Sequence, residues 1–477
     1  MSREIRADYQ QTWLFPPSVE DWVGEDHPAR FVRDFVDALD LQEMGFVIHD
    51  SDVGRPSYAA DLLLKVWLYG YMNRIRSSRK IEQACRENMG LIWLTGLNAP
   101  DHSSIWRFWR DNKKRIRGVF KKTVQVAVRS DLMGLALHAI DGTKIAATSS
   151  RDGVKNREEL NKLLQTLDQS IDAAMEEVEC AEKREEGEYR LSGAMTDKDK
   201  RKEAIVKALD ELGNSKRKVI HPSEPDARFM KTRRSMELAY NGQVVADQKS
   251  GMIVVQDVVM DEADNGQLVP MLDHVKEMLG TVAQENVADS GYYSSSQIGL
   301  AEERQYGILT NPPPSETTPE RSQEANPYHP SRFAYDEERN CCICPHGHVL
   351  GYLQRKEKGA NKNEFIRFRC RDYKDCPHRW ECSSSKHGRM IEISVHYEEI
   401  ERQRSKRQDP EKKQLLRRRK VIVEPVFAWI KQHLDFRRWT VRGINKVRAQ
   451  WDLVCTALNL KKLYTHWLKG NLKLGAH

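Results

Sequence analysis

The chain has 477 residues, of which 31% are charged and 8% aromatic, a balance typical of a soluble globular protein. No apolar run reaches transmembrane length and residues 1–13 contain no apolar signal segment, so we expect a cytoplasmic protein without membrane contact. Nine cysteines in so long a chain do not indicate a secreted disulfide scaffold. The net charge is only +7, but residues 401–420 carry ten Lys/Arg against three acids. This basic block favours a polyanionic partner, with a solvated helix face as the alternative.

Residues 1–125 are predicted to form a helical domain. Apolar residues recur at helical spacing over 26–40 and 59–72, and Ser77 or Ser78 can cap a third helix. Pro100 and Asp101 open a fourth helix, whose apolar face carries Ile105, Phe108, Trp109 and Ile116. Its remaining surface is basic, which favours a helix-turn-helix-like DNA-binding unit, although any helical bundle can show a basic face. The candidate DNA contacts are Arg107, Arg110, Lys113 and Lys114.

Residues 130–312 are predicted to form an α/β domain, interrupted by a helical hairpin at 155–215. Three antiparallel strands followed by two strand–helix crossovers produce a mixed sheet. A polar, basic connector at 221–235 leads into the second strand. The predicted strands lie at 134–147, 237–246, 252–260, 286–288 and 307–310, with helices at 266–279 and 294–304. Residues 396–477 return to a helical pattern, with a helix start at Asp409-Pro410 and a last helix at 444–467.

Three carboxylates stand out on these elements. Asp141 lies inside the first strand, where an unpaired carboxylate costs several kcal/mol, so it is either a turn acid or a metal ligand. Asp289 ends the fourth strand, and Glu424 lies on the first long helix after the fifth. If the first and fourth strands are neighbours and that helix packs on them, the three acids meet at one point. Ionising all three at one point would cost free energy unless a cation were bound there. Oxygen ligands favour Mg²⁺ or Mn²⁺ as that cation. Two such ions about 4 Å apart support phosphoryl displacement.

Each acid also has a purely structural interpretation. Asp141 can be a turn acid, Asp289 a helix cap, and Glu424 a partner of Lys420 or Lys431. The acids Asp247, Asp257 and Asp261 are rivals by proximity that look like turn or strand-end residues.

The residues around Glu424 carry further predictions. Lys431 lies seven positions later on the same helix face, where it can hold a phosphate near the metals. Pro425 either marks the first turn of the helix, which would place Glu424 at the helix start, or kinks it. Trp429, Tyr292 and Tyr293 are candidates for stacking on an unpaired base, with a core role as the alternative for Trp429.

Residues 313–395 hold six of the nine cysteines. Soft ligands in a reducing compartment favour a structural zinc site, with free thiols in a small insertion as the alternative. The histidines His346, His348 and His378 compete as ligands. The favoured set is Cys344, Cys370, Cys376 and Cys382.

The sequence resembles the DDE-type transposases of bacterial insertion sequences. The resemblance rests on I-D-G-T-K-I around Asp141, V-A-D-S-G-Y-Y around Asp289 and V-E-P-V-F-A-W-I-K around Glu424. The family's third-acid region commonly reads Tyr, two residues, Arg, three residues, Glu, six residues, Lys. Glu424 and Lys431 match that pattern, whereas Arg417 stands at its tyrosine position and Lys420 at its arginine position.

This resemblance implies a ribonuclease H-like mixed-sheet core at 130–312 and 396–477, with a helical-hairpin insertion and a Cys-rich insertion at 313–395. It implies Mg²⁺- or Mn²⁺-dependent cleavage at the ends of the element, followed by direct transfer of the released 3′-hydroxyls to target DNA. Asp141, Asp289, Glu424 and Lys431 would be catalytic, and Arg417 and Lys420 would bind DNA. A homodimer, associated with the nucleoid, would bring the two DNA ends together. The alternatives are a metal-dependent nuclease that does not join strands and a DNA-binding protein that has lost catalysis.

Overall fold

The computed structural model describes residues 18–47, 56–182, 193–215, 217–232, 235–312, 326–358 and 363–472. It divides into two compact units. The helical unit comprises Met1–Leu132, Ala147–Ser149 and Ala428–His477, and the sheet unit comprises Met133–Ala146 and Ser150–Phe427. In the described part of the chain, no helix combines the length and the apolar character needed to cross a membrane.

Fourteen α-helices are numbered here in chain order over the described residues. They are α1 (Pro28–Asp37), α2 (Ala60–Met72), α3 (Ser78–Glu87), α4 (Met89–Leu94), α5 (His102–Asn112), α6 (Ile116–Arg129), α7 (Arg157–Glu182), α8 (Gly193–Asn214), α9 (Leu268–Leu279), α10 (Ser295–Glu303), α11 (Arg379–Cys382), α12 (Tyr397–Lys406), α13 (Pro410–Ala428) and α14 (Ile444–Leu468).

Thirteen strands accompany them over the same residues. They are β1 (Leu137–Ala146), β2 (Lys155–Asn156), β3 (Val219–Ile220), β4 (Arg228–Lys231), β5 (Met236–Asp247), β6 (Ile253–Val259), β7 (Glu285–Ala288), β8 (Ile308–Thr310), β9 (Ala334–Asp336), β10 (Cys341–Ile343), β11 (Val349–Lys358), β12 (Asn363–Cys370) and β13 (Met390–Ser394).

The helical unit is built around α2 and α14, whose apolar residues lie in its core. Helix α14 packs on α1, α2 and α6. Buried polar side chains join the helices: Gln450 donates to the Tyr71 hydroxyl at 3.0 Å, and Asn459 donates to the Thr123 hydroxyl at 3.1 Å. The predicted C-terminal segment 396–477 is therefore divided, because residues 428–477 belong with the N-terminal helices.

The predicted fourth helix is in fact two helices, so the prediction that Ile105 and Ile116 share one helix face was wrong. Asp101 does cap α5, accepting from the backbone N–H of Ser103 and Ser104 at 2.9 and 3.0 Å. The helix stops at Asn112, whose side-chain oxygen accepts from the Val47 N–H at 2.7 Å, and Ile116 begins α6. The short helix α4 was also not predicted, because six residues are too few to show a helical period.

The sheet unit contains a six-stranded mixed sheet. Strand β1 pairs antiparallel with β5 and parallel with β7, and β7 pairs parallel with β8. The other edge of β5 pairs with β4 and then with β6. This confirms the predicted mixed α/β sheet with its first and fourth predicted strands as neighbours. The connector 221–235 was predicted to be only a link, but it contributes β4, which is too short for an alternating pattern to reveal it.

Two further groups of elements stand between the strands and helices of this sheet along the chain. Helices α7 and α8 pack on each other around Leu160, Ile205, Ala208 and Leu212; the turn predicted at 185–193 lies almost wholly outside the described residues. Between β8 and α12, the strands β9 to β13 form a five-stranded antiparallel sheet in the order β13-β12-β11-β10-β9. Its core includes Phe333, Leu350, Phe368, Ile391 and Ile393.

Helix α13 begins where the sequence predicts. The Asp409 carboxylate accepts from the Glu411 N–H at 2.8 Å and so caps the helix that Pro410 opens. Pro425 lies inside α13 rather than in its first turn, so the interpretation that placed Glu424 at the helix start is wrong. After α13 the chain continues as a π-helical turn, Trp429–His433.

Candidate active site

The register of two parallel strands brings Asp141 and Asp289 to the same level of the sheet. The last residue pair between β1 and β7 is Ile140 with Ala288; Asp141 follows Ile140 on β1, and Asp289 follows Ala288 directly after the end of β7. The carboxylates lie close enough for the negative charge of Asp289 to raise the pKa of Asp141. Two of the three predicted catalytic acids are thus neighbours.

Asp141 is a half-buried carboxylate held by two donors. Its side chain is 19% exposed, one oxygen accepts from the Gly142 N–H at 2.8 Å, and the other pairs with the Arg419 guanidinium at 2.7 Å. Burial raises the pKa of Asp141 to about 6; the charge of Arg419 lowers it, and that of Asp289 raises it. At neutral pH the ionised form therefore persists against a desolvation cost, which a nearby cation would relieve.

Asp289 has the capping role that the sequence left open, and it also remains partly accessible. Its carboxylate accepts from the Gly291 N–H at 2.8 Å and caps the 3-10 turn Ser290–Tyr292. Its backbone carbonyl accepts from the Thr310 hydroxyl on β8 at 2.8 Å. Tyr292 itself is fully buried and donates to the Gln243 side chain, so the prediction that it stacks on a base is wrong.

The third predicted acid is not gathered with the other two. Glu424 is exposed on α13. Among the described residues, no group of three or more His, Cys, Asp or Glu side chains is placed to hold a metal ion. Lys431 belongs to the helical unit, on the π-helical turn.

Arg419, on α13, is a site residue that the sequence analysis missed. It lies in a run of three arginines and one lysine, 417–420, of which only Arg419 is half-buried; Arg417 and Lys420, the predicted DNA contacts, are exposed. A run of like charges gives no sign of which member faces the sheet, so only the structure singles out Arg419.

Asp264, in the loop between β6 and α9, is a second residue that the sequence analysis missed. Its carboxylate pairs with Lys144 at 2.8 Å and accepts from Asn241 at 2.6 Å and from Gln243 at 2.7 Å. The signal that could have found it is the presence of two polar residues, Asn241 and Gln243, inside a buried strand, since buried amides require partners.

Two of the rival acids have ordinary local roles. Asp247 accepts from the backbone N–H of Gly134 and Ser250 at 3.0 and 2.9 Å and so holds the turn after β5. Asp261 accepts from the Gln267 side chain at 3.1 Å in the loop before α9. Asp257 lies on β6 opposite Gln243.

Four cysteines in and around the five-stranded sheet influence one another electrostatically. Burial raises the pKa of Cys370 and of Cys382, and both Cys344 and Cys376 raise each of these further. The backbone N–H groups of His346 and His348 point at the Cys344 sulfur, at 3.4 and 3.3 Å. The thiols predicted as zinc ligands thus lie in one neighbourhood, although the structure does not place three of them in coordinating geometry.

The predicted DNA contacts of the helical unit lie along and just after α5. Arg107, Arg110 and Lys114 are exposed and Lys113 is half-buried. The Arg110 guanidinium pairs with Asp111 at 2.7 Å.

Comparison with known families decides the class. A family model described as a transposase DDE domain matches residues 343–464, and one described as a transposase domain (DUF772) matches residues 17–111. The chain therefore carries a DDE-type transposase domain. Its function is DNA transposition, and it belongs to a class of enzymes that cleave DNA and transfer strands.

Other comparisons add little to this. A search of curated proteins finds no match. One solved structure, a cryo-EM piggyBac transposase synaptic complex with hairpin DNA, is similar with a TM-score of 0.33 and 11% identity, over 94% of this chain and 77% of that one. So distant a likeness supports no correspondence between residues.

Proposed function

We propose that this transposase cleaves DNA at the ends of its insertion sequence with a catalytic site formed by Asp141, Asp289 and Glu424. The observation that carries the proposal is the register of β1 and β7, which puts two carboxylates side by side at the end of a parallel strand pair. Glu424 is proposed as the third acid because it lies on α13, the helix whose Arg419 already contacts Asp141.

The sheet that carries this site is proposed to have a ribonuclease H-like fold. The supporting feature is the strand order: β1 lies between an antiparallel neighbour, β5, and a parallel neighbour, β7, and β8 extends the parallel side. The α7–α8 hairpin and the five-stranded sheet are then insertions into this core, at 155–215 and 313–395.

Magnesium or manganese is the proposed cofactor, because carboxylate oxygens suit hard cations. When bound, the ion would offset the carboxylate charge and acidify a water molecule. Asp141 and Asp289 would hold it. Arg419, which pairs with one Asp141 oxygen, would offer its guanidinium to a phosphate of the DNA.

The chemistry consists of two displacements at phosphorus. In the first, a water oxygen bonds to phosphorus, the P–O3′ bond breaks, and the 3′ oxygen leaves as a hydroxyl. In the second, that hydroxyl attacks a target phosphodiester and displaces its 3′ oxygen. Neither displacement needs a covalent bond to the protein, so the residues of the chain position groups and offset charge.

The residues proposed to contact DNA are Arg107, Arg110, Lys113 and Lys114 of the helical unit and Arg417 and Lys420 of the sheet unit. Lys431 is proposed to hold a phosphate. All of these arginines and lysines up to Lys420 except Lys113 are exposed to solvent, which supports this assignment. A homodimer is proposed because two DNA ends must be joined in one event, and the protein would act on nucleoid DNA in the cytoplasm. A structural zinc ion on Cys344, Cys370, Cys376 and Cys382 is proposed from their mutual proximity.

The test is a joining assay with labelled DNA that carries the native flanks of the gene, incubated with a target plasmid in Mg²⁺ or Mn²⁺. We expect nicks at the flanks and covalent joining to the plasmid, both lost in Asp289→Asn, while Asp261→Asn retains them. Nicks without joined product would mean a nuclease. Binding without nicks in either metal would mean an inactive DNA-binding protein.

A further inference from the structure

A polar network lies on the opposite face of the sheet from Asp141. Side chains alternate along β1, so Asp141 points to one face while Gly142 and Lys144 point to the other. On that second face Lys144 donates to both oxygens of Asp264, at 2.9 and 2.8 Å. Asn241 and Gln243, which are 0% exposed on the neighbouring β5, donate to the same carboxylate. The Asp264 carboxylate is therefore paired with one ammonium group and accepts hydrogen bonds from two side-chain amides.

This network extends to the turn that carries Asp289. The Gln243 amide donates to Asp264 through its nitrogen and accepts from the Tyr292 hydroxyl through its oxygen. Tyr292 closes the 3-10 turn that Asp289 caps. Burial raises the pKa of Tyr292 well above its ordinary value, and the charges of Asp264, Asp141 and Asp289 raise it further, as expected if the three carboxylates lie near that buried ring. One continuous chain of hydrogen bonds thus runs from Asp264 to the Asp289 turn.

Two glycines show how closely this network approaches the site. A Cβ on Gly142 would lie 2.5 Å from the Gln243 amide nitrogen and 2.8 Å from an Asp264 oxygen. A Cβ on Gly291 would lie 3.0 Å from an Asp289 oxygen and 3.8 Å from the other Asp264 oxygen. Asp264 therefore packs against the backbone that follows each of the two aspartates, and only glycine leaves room for it after Asp141.

We propose that Asp264 is a positioning residue for the Asp141–Asp289 site, acting through Gln243 and Tyr292 to fix the turn that presents Asp289. The inference rests on the proposed function. Because the Asp264 carboxylate is already paired with Lys144, it holds the two strand ends at a fixed separation and leaves metal binding to Asp141 and Asp289. Residues that orient ligands in this way commonly change metal affinity or activity by about 10–100-fold when they are replaced.

The test compares Asp264→Asn with Asp261→Asn in the full-length chain. Asp261 lies in the same loop and makes one side-chain hydrogen bond, to Gln267, so it is a matched control. The first readout is amide hydrogen exchange of residues 285–293 in metal-free protein. We expect faster exchange there in Asp264→Asn only. The second is DNA cleavage against Mg²⁺ concentration, for which we expect a rate lower by about 10–100-fold and a higher half-saturating Mg²⁺ concentration, with DNA binding unchanged.

Two further variants keep the proposal testable if Asp264→Asn folds poorly. Tyr292→Phe removes only the hydroxyl that donates a hydrogen bond to the Gln243 side chain. It should reproduce the faster hydrogen exchange and the higher half-saturating Mg²⁺ concentration to a smaller extent. The double variant Lys144→Met/Asp264→Asn removes both charges and should recover part of the lost rate, since no unpaired ammonium remains beside the site.

The outcomes separate this inference from the proposed function. If Asp289→Asn abolishes cleavage while Asp264→Asn and Tyr292→Phe match wild type in exchange and in Mg²⁺ dependence, the positioning role is refuted and the catalytic site stands. If Asp289→Asn cleaves normally, the proposed site itself is wrong. A lower rate in Asp264→Asn with unchanged exchange and unchanged Mg²⁺ dependence would also overturn the inference.

Discussion

Replacing Asp141 by asparagine should stabilise the metal-free protein at pH 8, although the residue is proposed to be essential for catalysis. Burial and the neighbouring Asp289 raise the pKa of Asp141 from the ordinary 3.8 to about 6, against the effect of Arg419. The carboxylate is therefore more easily ionised in the unfolded chain than in the folded one. Ionisation at neutral pH costs folding free energy that asparagine does not incur.

The sign and size of this effect follow from proton linkage. Between pH 4 and pH 6 the folded state binds more protons at Asp141 than the unfolded state, so its contribution to stability falls as the pH rises through that window. The difference between 3.8 and about 6 corresponds to about 3 kcal/mol, which is fully expressed above pH 6. Below pH 4 the contribution vanishes. The asparagine oxygen can still accept from Arg419, so that contact need not be lost.

The assay is thermal unfolding of wild type and Asp141→Asn in EDTA at pH 4.5, 6 and 8. We expect the variant to gain in melting temperature over wild type as the pH rises, reaching roughly 6 °C at pH 8 for about 3 kcal/mol. Added Mg²⁺ should then stabilise wild type and not the variant. A difference that is independent of pH, or a variant less stable than wild type at pH 8, would refute the proposed burial cost.

Three further predictions follow from the site, the insertion and α5. Arg419→Gln should raise the pKa of Asp141 above about 6 and move the acidic limb of the cleavage pH profile upward, whereas the exposed neighbour Arg418→Gln should leave the profile unchanged. Purified protein should contain about one zinc ion per chain by elemental analysis, and Cys376→Ser should lose it; zinc retained in that variant, or none in wild type, would contradict the proposed ligand set. Lys114→Ala should reduce the slope of log binding constant against log salt by about 1, and an unchanged slope would remove this lysine from the proposed DNA contacts.

Strand patterning predicted the sheet well because its strands are mostly buried, as in the run of ten buried residues on β5. Asp141 and Asp289 were predicted on strands that could be neighbours, and β1 and β7 do pair. Both acids could be found because an acid inside or just after a buried strand is conspicuous in a sequence. The register that sets the two carboxylates level, with Ile140 opposite Ala288, depends on tertiary pairing and could not be derived from the pattern.

Other parts of the site could not be predicted, for physical reasons that differ from residue to residue. Arg419 is one of four consecutive basic residues, and only the packing of α13 selects it. Asp264 stands in a loop rich in acids, and its importance comes from partners on β1 and β5 that are 20 or more positions away. The break between α5 and α6 depends on the Asn112 contact with Val47, which is 65 residues distant in sequence.

In the proposed site, Asp141 and Asp289 together hold the catalytic cation. The most direct measurement is Mn²⁺ binding followed by electron paramagnetic resonance, with wild type, Asp289→Asn and the control Asp261→Asn, each in complex with the flanking DNA. We expect a tight Mn²⁺ site in wild type and Asp261→Asn that is lost in Asp289→Asn. Equal Mn²⁺ binding by all three proteins would contradict it.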